Sequence, residues 1–347
     1  MRTFLQFVLG SAGALVLGFS LAGCTPYIRQ PGPTSSPAQL ARSHFVTSDG
    51  AVLPLRSWLP LNHQAQAALI ALHGFNDYSR FFESPGRYLS GMNVACYAYD
   101  QRGFGHAPGH GLWSGTATYA RDLTEVVNVV RQRHPGLPVY LLGESMGGAI
   151  AISAMTRPEA PPVDGLILAS PAVWNRASMP WYQRWLLATA AHTVPWLRLT
   201  GSSLHILASD NIAMLRELGR DPRVIKETRI DAIHGLTDLM DEAQAGAGKL
   251  RLATLVLYGE KDEVVPREPV FRMLDRIPKS SDSKTAIYPN GYHLLLRDLK
   301  AETAWKDIAF WMANHQAPLP SGVEEHAARE MRLAQKREPI VNESIAH

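Results

Sequence analysis

A serine hydroxyl attacks a carbonyl carbon at useful rates only when a base takes its proton and a carboxylate holds that base in the right tautomer. A chain with this chemistry must therefore bring three such residues together on loops. Ser145 is the first candidate, in Gly143-Glu144-Ser145-Met146-Gly147, between an apolar run at residues 139–142 and a small, apolar stretch at 146–155. That succession predicts a strand turning sharply into a helix at the serine. Such a turn strains the serine backbone and admits only small residues two positions to either side, which Gly143 and Gly147 supply. The helix start would also offer unpaired amides and a partial positive charge where an oxyanion forms. The alternative is a glycine-rich corner whose serine only caps the helix.

Asp262 lies on the loop after a predicted strand that ends at Tyr258. It, or Glu263, would otherwise cap the next helix. His293, in Pro289-Asn290-Gly291-Tyr292-His293, follows a predicted strand and precedes the last long helix. The other histidines fit less well: His192, His205 and His234 fall in an insertion, His315 ends a helix, and His106 and His110 lie in a glycine-rich loop. His73 competes as a base, although a histidine at the entrance to a loop better suits fixing that loop by hydrogen bonds. Oxyanion donors are expected from the amide of Met146 and from the loop after the first long strand, at Phe75. The order Ser145, Asp262, His293 is that of the α/β-hydrolase arrangement.

These residues need a scaffold whose loops meet at one edge, and the carboxyl edge of an open parallel sheet is such a place. Apolar runs at 68–72, 94–99, 139–142, 163–169, 252–258 and 284–288 alternate with helical patterns, predicting an α/β fold whose mostly parallel sheet carries helices on both faces. Helices are predicted at 118–133, 146–155, 268–276 and 301–315, with an interrupted one at 80–89. A hairpin is predicted at 44–47 and 52–59, around Asp49-Gly50. The alternation fails in an insertion at 171–247, where Trp174, Trp181, Trp185 and Trp196 gather and Pro180 and Pro195 break helices.

Hydrophobic residues at 46% and charged residues at 19% describe a globular chain with ample core. The net charge of +3, with basic residues scattered, speaks against a nucleic-acid partner. Two cysteines cannot build a multi-bridge framework, and no zinc-ligand spacing is present, so neither metal nor cofactor is expected. At the N-terminus, Arg2 precedes an apolar stretch at 4–22 ending in Leu21-Ala22-Gly23-Cys24. This resembles a bacterial lipoprotein signal, with residues 1–23 removed and Cys24 acylated. An uncleaved anchor or an ordinary signal peptide are the alternatives. The lipoprotein reading places the chain in the cell envelope, and Thr25, rather than Asp, after the cysteine does not oppose sorting to the outer membrane in a Gram-negative cell. Residues 24–42 are rich in proline and serine and read as a hydrated spacer. The enzyme domain is expected at 43–317, followed by a charged tail at 318–347 that is a surface helix with a frayed end, or disordered.

Together, His73-Gly74, Asp100-Gln101-Arg102-Gly103-Phe104-Gly105, the pentad around Ser145, Asp262 with Val265-Pro266, and Gly291-Tyr292-His293 resemble the monoacylglycerol lipase and lysophospholipase group of serine hydrolases, over residues 43–317. The resemblance implies an α/β-hydrolase fold with about eight sheet strands and a helical cap between the sixth and seventh core strands. It also implies a carboxylester hydrolase acting on a monoacylglycerol or lysophospholipid through an acyl-enzyme, with Ser145 as nucleophile, His293 as base and Asp262 orienting the base. The cap would supply the acyl slot, or its tryptophans would pack only the cap's own core. The oxyanion loop Phe75-Asn76-Asp77-Tyr78 is less glycine-rich than in many relatives. A broad short-chain carboxylesterase, an acyltransferase, and an inactive membrane-tethered binding protein are the alternatives. The expected partners are a lipid ester and, through lipidated Cys24, a membrane; no obligate protein partner is expected.

Overall fold

A strand built wholly of apolar residues is stable only when both its faces are covered, and the apolar runs of this chain accordingly form the middle of a nine-stranded sheet. The structure, a computed structural model, describes residues 24–61, 64–201, 206–279 and 282–337. The expected signal stretch and the end of the tail lie outside the described residues. In chain order the strands are β1 (Gln39–Leu40), β2 (His44–Val46), β3 (Val52–Trp58), β4 (Ala67–Leu72), β5 (Val94–Tyr99), β6 (Val139–Glu144), β7 (Gly165–Ala169), β8 (Arg198–Thr200), β9 (Glu227–Arg229), β10 (Thr254–Gly259) and β11 (Lys284–Tyr288). The large sheet runs β1-β2-β3-β5-β4-β6-β7-β10-β11. It is antiparallel as far as the β3–β5 pair and parallel beyond it. The mostly parallel sheet expected from the alternating pattern is present, with β1 added at its edge from the proline-rich stretch. Because β4 lies between β5 and β6, the chain reverses its direction of winding there, and the loops after β4 and β6 open side by side.

Side chains of β4 alternate between two apolar layers: Ala68, Ile70 and Leu72 join one, Ala67, Leu69 and Ala71 the other. A short 3-10 turn at Ser79–Phe82 leads into α1 (Glu83–Gly91), followed by α2 (Thr116–Arg133) and α3 (Met146–Met155). Helix α2 buries Tyr119, Leu123, Val126, Val127 and Val130, the stripe legible in its sequence. Helix α3 is buried from Met146 to Ala154 and has no polar face.

The insertion holds α4 (Trp181–Thr193), α5 (Ile212–Arg220), α6 (Ile230–Gly246) and the antiparallel pair β8–β9. Only α6 is well buried, packing Leu239, Met240 and Ala243 toward α3. Helix α4 buries Ala191 alone and leaves Trp181 and Trp185 71% and 65% exposed. The insertion's tryptophans therefore do not form a core of their own. After β10 come α7 (Arg267–Arg276), α8 (Ala301–Ala313) and α9 (Val323–Arg337). The tail helix α9 packs against β11, buries Ala327 and is tied down by Lys284 Nζ at 2.8 Å from Glu324. Among the described residues no helix is long and apolar enough to cross a membrane.

The loop after β5 is held by one buried cation. Arg102 donates to Asp49 Oδ2 and Oδ1 at 2.9 and 2.6 Å and to Asp122 Oδ2 and Oδ1 at 2.6 and 2.9 Å, with both aspartate side chains almost fully buried. This double fork ties the β2–β3 turn, the Asp100–Gly105 loop and α2 together. Removing it leaves Asp122 buried without its ion-pair partner and Asp49 with only Arg121, at 3.4 Å, so Arg102→Met is expected to lose about 3–5 kcal/mol in urea unfolding. Arg102→Lys is expected to recover less than half of that, because an ammonium cannot grip two carboxylates bidentately.

Candidate active site

Ser145 sits at φ 53 and ψ −116, a conformation that costs a non-glycine residue energy and persists only where its surroundings enforce it. The enforcement is local and tight. A Cβ on Gly143 would stand 2.4 Å from the carbonyl carbon and oxygen of Gly147, and one on Gly147 would stand 2.3 Å from the Leu72 carbonyl oxygen. On the other side, the Ser145 amide donates to the Ala169 carbonyl at 3.0 Å and the Ser145 carbonyl accepts from Ala172 at 2.9 Å. The side chain makes no capping bond to α3, so the capping role is not the one the serine plays here.

Asp262 and His293 meet. Nδ1 of His293 lies 2.8 Å from Asp262 Oδ2, with both side chains buried. Asp262 Oδ1 accepts the amides of Val264 and Val265 at 2.8 and 2.9 Å, which aims the second oxygen at the ring. Helix α7 begins later, behind Pro266, and takes no side-chain cap. With Nδ1 occupied, Nε2 is the ring nitrogen left to work, and His293 and Ser145 wall the same cavity. Among the described residues the Ser145 hydroxyl donates to no side chain. Such a bond commonly tightens only when substrate arrives.

The loop after β4 is held from three sides. His73 is fully buried; its Nδ1 donates to the Gly74 carbonyl at 2.8 Å and its Nε2 accepts the Gln101 amide at 3.0 Å. Those bonds require the neutral Nδ1–H tautomer, and burial lowers the ring's pKa. Both nitrogens being engaged, His73 fixes this loop and is not placed to serve Ser145. Asn76 takes φ 65, which asparagine tolerates better than most residues, and donates to Thr228 Oγ1 at 2.7 Å in the insertion. The glycine-poor loop is thus accommodated by its asparagine. The amide of Phe75 has no backbone acceptor among the described turns and loops, and Met146 opens α3, where amides lack intrahelical partners. Both expected oxyanion donors are therefore unspent.

Sequence reasoning missed the ion pairs that join these loops. Arg297 Nη1 lies 2.8 Å from Asp77 Oδ2 on the oxyanion loop, and Nη2 lies 2.8 Å from Glu144 Oε1, next to the serine. Arg297 itself follows His293 by one turn of chain. One guanidinium thus ties together the loops carrying Ser145, Phe75 and His293. Burial raises the pKa of Glu144, and the charge of Arg297 opposes that rise. Glu144 and Arg297 are 153 positions apart, and no local pattern pairs them.

The cavity over Ser145 has a volume of about 530 Å³. Trp174, Met179, Leu187, Ile233, Leu236 and Met240 from the insertion form much of its wall and make it largely apolar, while Asp77 and Glu144 also line it. Elsewhere, Glu260, His326 and Glu330 are the one His/carboxylate group among the described residues close enough to share an ion, and Arg267 already holds Glu330 at 2.5 Å. Cys24 is exposed, whereas Cys96 is buried and its thiol pKa is pushed up by that burial.

A sheet of this order, with a serine on the strained turn after β6 and a histidine–aspartate pair on the loops after β11 and β10, defines an α/β hydrolase. Residues 63–300 match the Hydrolase_4 family, described as serine aminopeptidase, S33, and the chain belongs to that family. Human monoglyceride lipase is 29% identical over 281 residues, covering 79% of this chain and 91% of that one. The monoacylglycerol lipase of Mycolicibacterium smegmatis is 24% identical, covering 74% and 91%. The crystal structure of Paleococcus ferrophilus monoacylglycerol lipase superposes with a TM-score of 0.65 at 22% identity, covering 76% of this chain and 99% of that one.

If Arg297 holds the three loops in register, Arg297→Met leaves Asp77 and Glu144 as unpaired buried neighbours and lets the oxyanion loop drift. Steady-state ester hydrolysis is expected to show kcat reduced about 100-fold, the cost of a displacement on the order of 1 Å, with KM changed much less.

Proposed function

We propose that this protein hydrolyses the acyl ester of a single-chain lipid, a monoacylglycerol or lysophospholipid, through an acyl-enzyme on Ser145. Ser145 Oγ attacks the ester carbonyl carbon while His293 Nε2 takes its proton. Asp262 keeps Nδ1–H in place and stabilises the imidazolium. The amides of Phe75 and Met146 hold the oxyanion. Collapse of the tetrahedral species breaks the bond to the alcohol oxygen, which leaves with the proton from Nε2. Water, deprotonated by the same nitrogen, then releases the fatty acid and restores Ser145.

The observation that carries this reading is the cavity: it is lined by Ser145 and by the histidine of a histidine–aspartate pair, and by an apolar wall contributed by the insertion. That shape suits an acyl chain attached to one ester. The relatives named as monoglyceride lipases support it. A broad short-chain esterase would use the same acyl-enzyme without needing the insertion's apolar wall, and an acyltransferase would differ only in passing the acyl group to an alcohol instead of water. The same reading puts the chain in the bacterial cell envelope, anchored by acylated Cys24, supported by the apolar stretch at 4–22 that ends in Leu21-Ala22-Gly23-Cys24 and by the exposure of that cysteine.

Ser145→Ala is expected to abolish fluorophosphonate labelling and to lower ester hydrolysis by a factor on the order of 10⁴ or more, with an unchanged melting curve. Leu236→Trp, which narrows the cavity at its apolar wall, is expected to cost about 10-fold or more on long-chain monoacylglycerol while sparing p-nitrophenyl butyrate. Equal loss on both esters would separate the cavity from chain-length preference.

A further inference from the structure

The proline-rich stretch, read from composition as a hydrated spacer, is laid along the domain. The Arg29 amide donates to the Trp113 carbonyl at 2.7 Å, the Gly32 amide to Asp49 Oδ2 at 2.9 Å, and the Ser35 amide to the Ser48 carbonyl at 2.8 Å. Side chains follow the backbone: Ile28 Cγ2 lies 3.1 Å from where a Cβ on Gly115 would stand, and Arg29 Cδ lies 2.7 Å from the same point on Gly109. The anchor points are rigid, since Asp49 is itself clamped by Arg102 and the ring of Trp113 lies against Gly235 of α6. Further toward the N-terminus, Tyr27 comes within electrostatic reach of Arg229, on the β9 strand of the cap.

This path has a definite end. Tyr27 is three positions from Cys24, at most about 11 Å of chain, so Cys24 stays on the cap's side of the molecule. Arg229 pairs with Arg198 of β8, and beside Arg198 the side chains of Trp196, Leu197 and Leu199 are exposed. Helix α4 adds exposed Trp181, Tyr182, Trp185 and Leu186, while its Gln183 and Leu187 wall the catalytic cavity. Tyr27 and Ile28 of the strap are exposed as well. Aromatic and aliphatic side chains in this number, with exposed Arg184 and Arg198 among them, match the interface of an anionic bilayer better than they match water.

We propose that residues 27–36 are a rigid strap that delivers a lipidated Cys24 beside the cap, so that the bilayer holding its acyl chains faces the exposed side of α4 and β8. A free tether would leave orientation unspecified; the strap sets it, and the cap wall of the cavity is then presented to membrane-dissolved lipid. The proposal rests on the lipid-anchor reading given above.

The test uses the full chain, processed in cells and reconstituted in phosphatidylglycerol-containing vesicles. Acylation consumes the Cys24 thiol and Cys96 is buried, so Ala188→Cys on α4 supplies the reactive thiol for a bimane label, and Glu159→Cys, beyond the far end of α3, supplies a control. Nitroxide-bearing lipid is expected to quench the label at 188 and not at 159. Replacing residues 27–36 by Gly/Ser of equal length is expected to remove most of that quenching while leaving p-nitrophenyl butyrate hydrolysis intact. Peptides spanning 26–36 are expected to exchange amide hydrogens about 10-fold or more slower than unstructured chain. Unprotected exchange, equal quenching at the two sites, or quenching that survives the replacement overturns the strap. An unmodified Cys24 in mass spectra of the mature chain instead overturns the anchor reading, and the membrane orientation with it, even where the exchange protection persists.

Discussion

The active-site turn depends on a close approach between β4 and the first turn of α3, where the Leu72 carbonyl leaves no room for a side chain at position 147. That contact forces the chain to leave β6 abruptly, and the abrupt exit puts Ser145 at positive φ with its hydroxyl off the helix. It exists because β4 and β6 are hydrogen-bonded neighbours, which in turn follows from the placement of β5 on the outer side of β4. The strained turn, the free amide of Met146 and the nearness of the β4 loop are consequences of one packing relation.

Two buried guanidinium groups extend this order outward. Arg102 joins the β2–β3 turn, the loop after β5 and α2, and its neighbour Gln101 uses its amide to set the tautomer of His73. His73 holds the Gly74 carbonyl, one residue from the Phe75 amide. Arg297 reaches the same loop from the opposite side through Asp77, and grips Glu144 as well. Each carboxylate is costly to bury alone and tolerable with its partner, so these loops are held in place by the penalty for separating them.

The cap divides its apolar residues between two tasks. Leu236 and Met240 of α6 and Leu187 of α4 close the cavity, while Trp181 and Trp185, on the same helix as Leu187, face outward. A helix apolar on both sides is stable at a boundary between a binding cavity and another apolar phase. Helix α9 shows the reverse case: its charged composition fits a surface helix, and its one buried stripe, around Ala327, covers the edge strand β11.

What the sequence by itself determined was whatever short-range physics constrains. Runs such as 68–72 and 94–99 are apolar at every position and can be satisfied only inside a sheet; glycine two places either side of Ser145 admits a turn that larger residues exclude; and Asp262 and His293 follow strands at the distance that places them on loops. The tertiary structure alone decided which distant charges pair, which tryptophans face water, and where the proline-rich segment lies. Arg297 looks like any other basic residue in a linear chain, and Pro-Ser composition specifies an extended backbone without specifying what it rests on. Those outcomes depend on surfaces that exist only after the strands have assembled, because an ion pair or a docked strap is defined by its partner's position and not by its own neighbours in sequence.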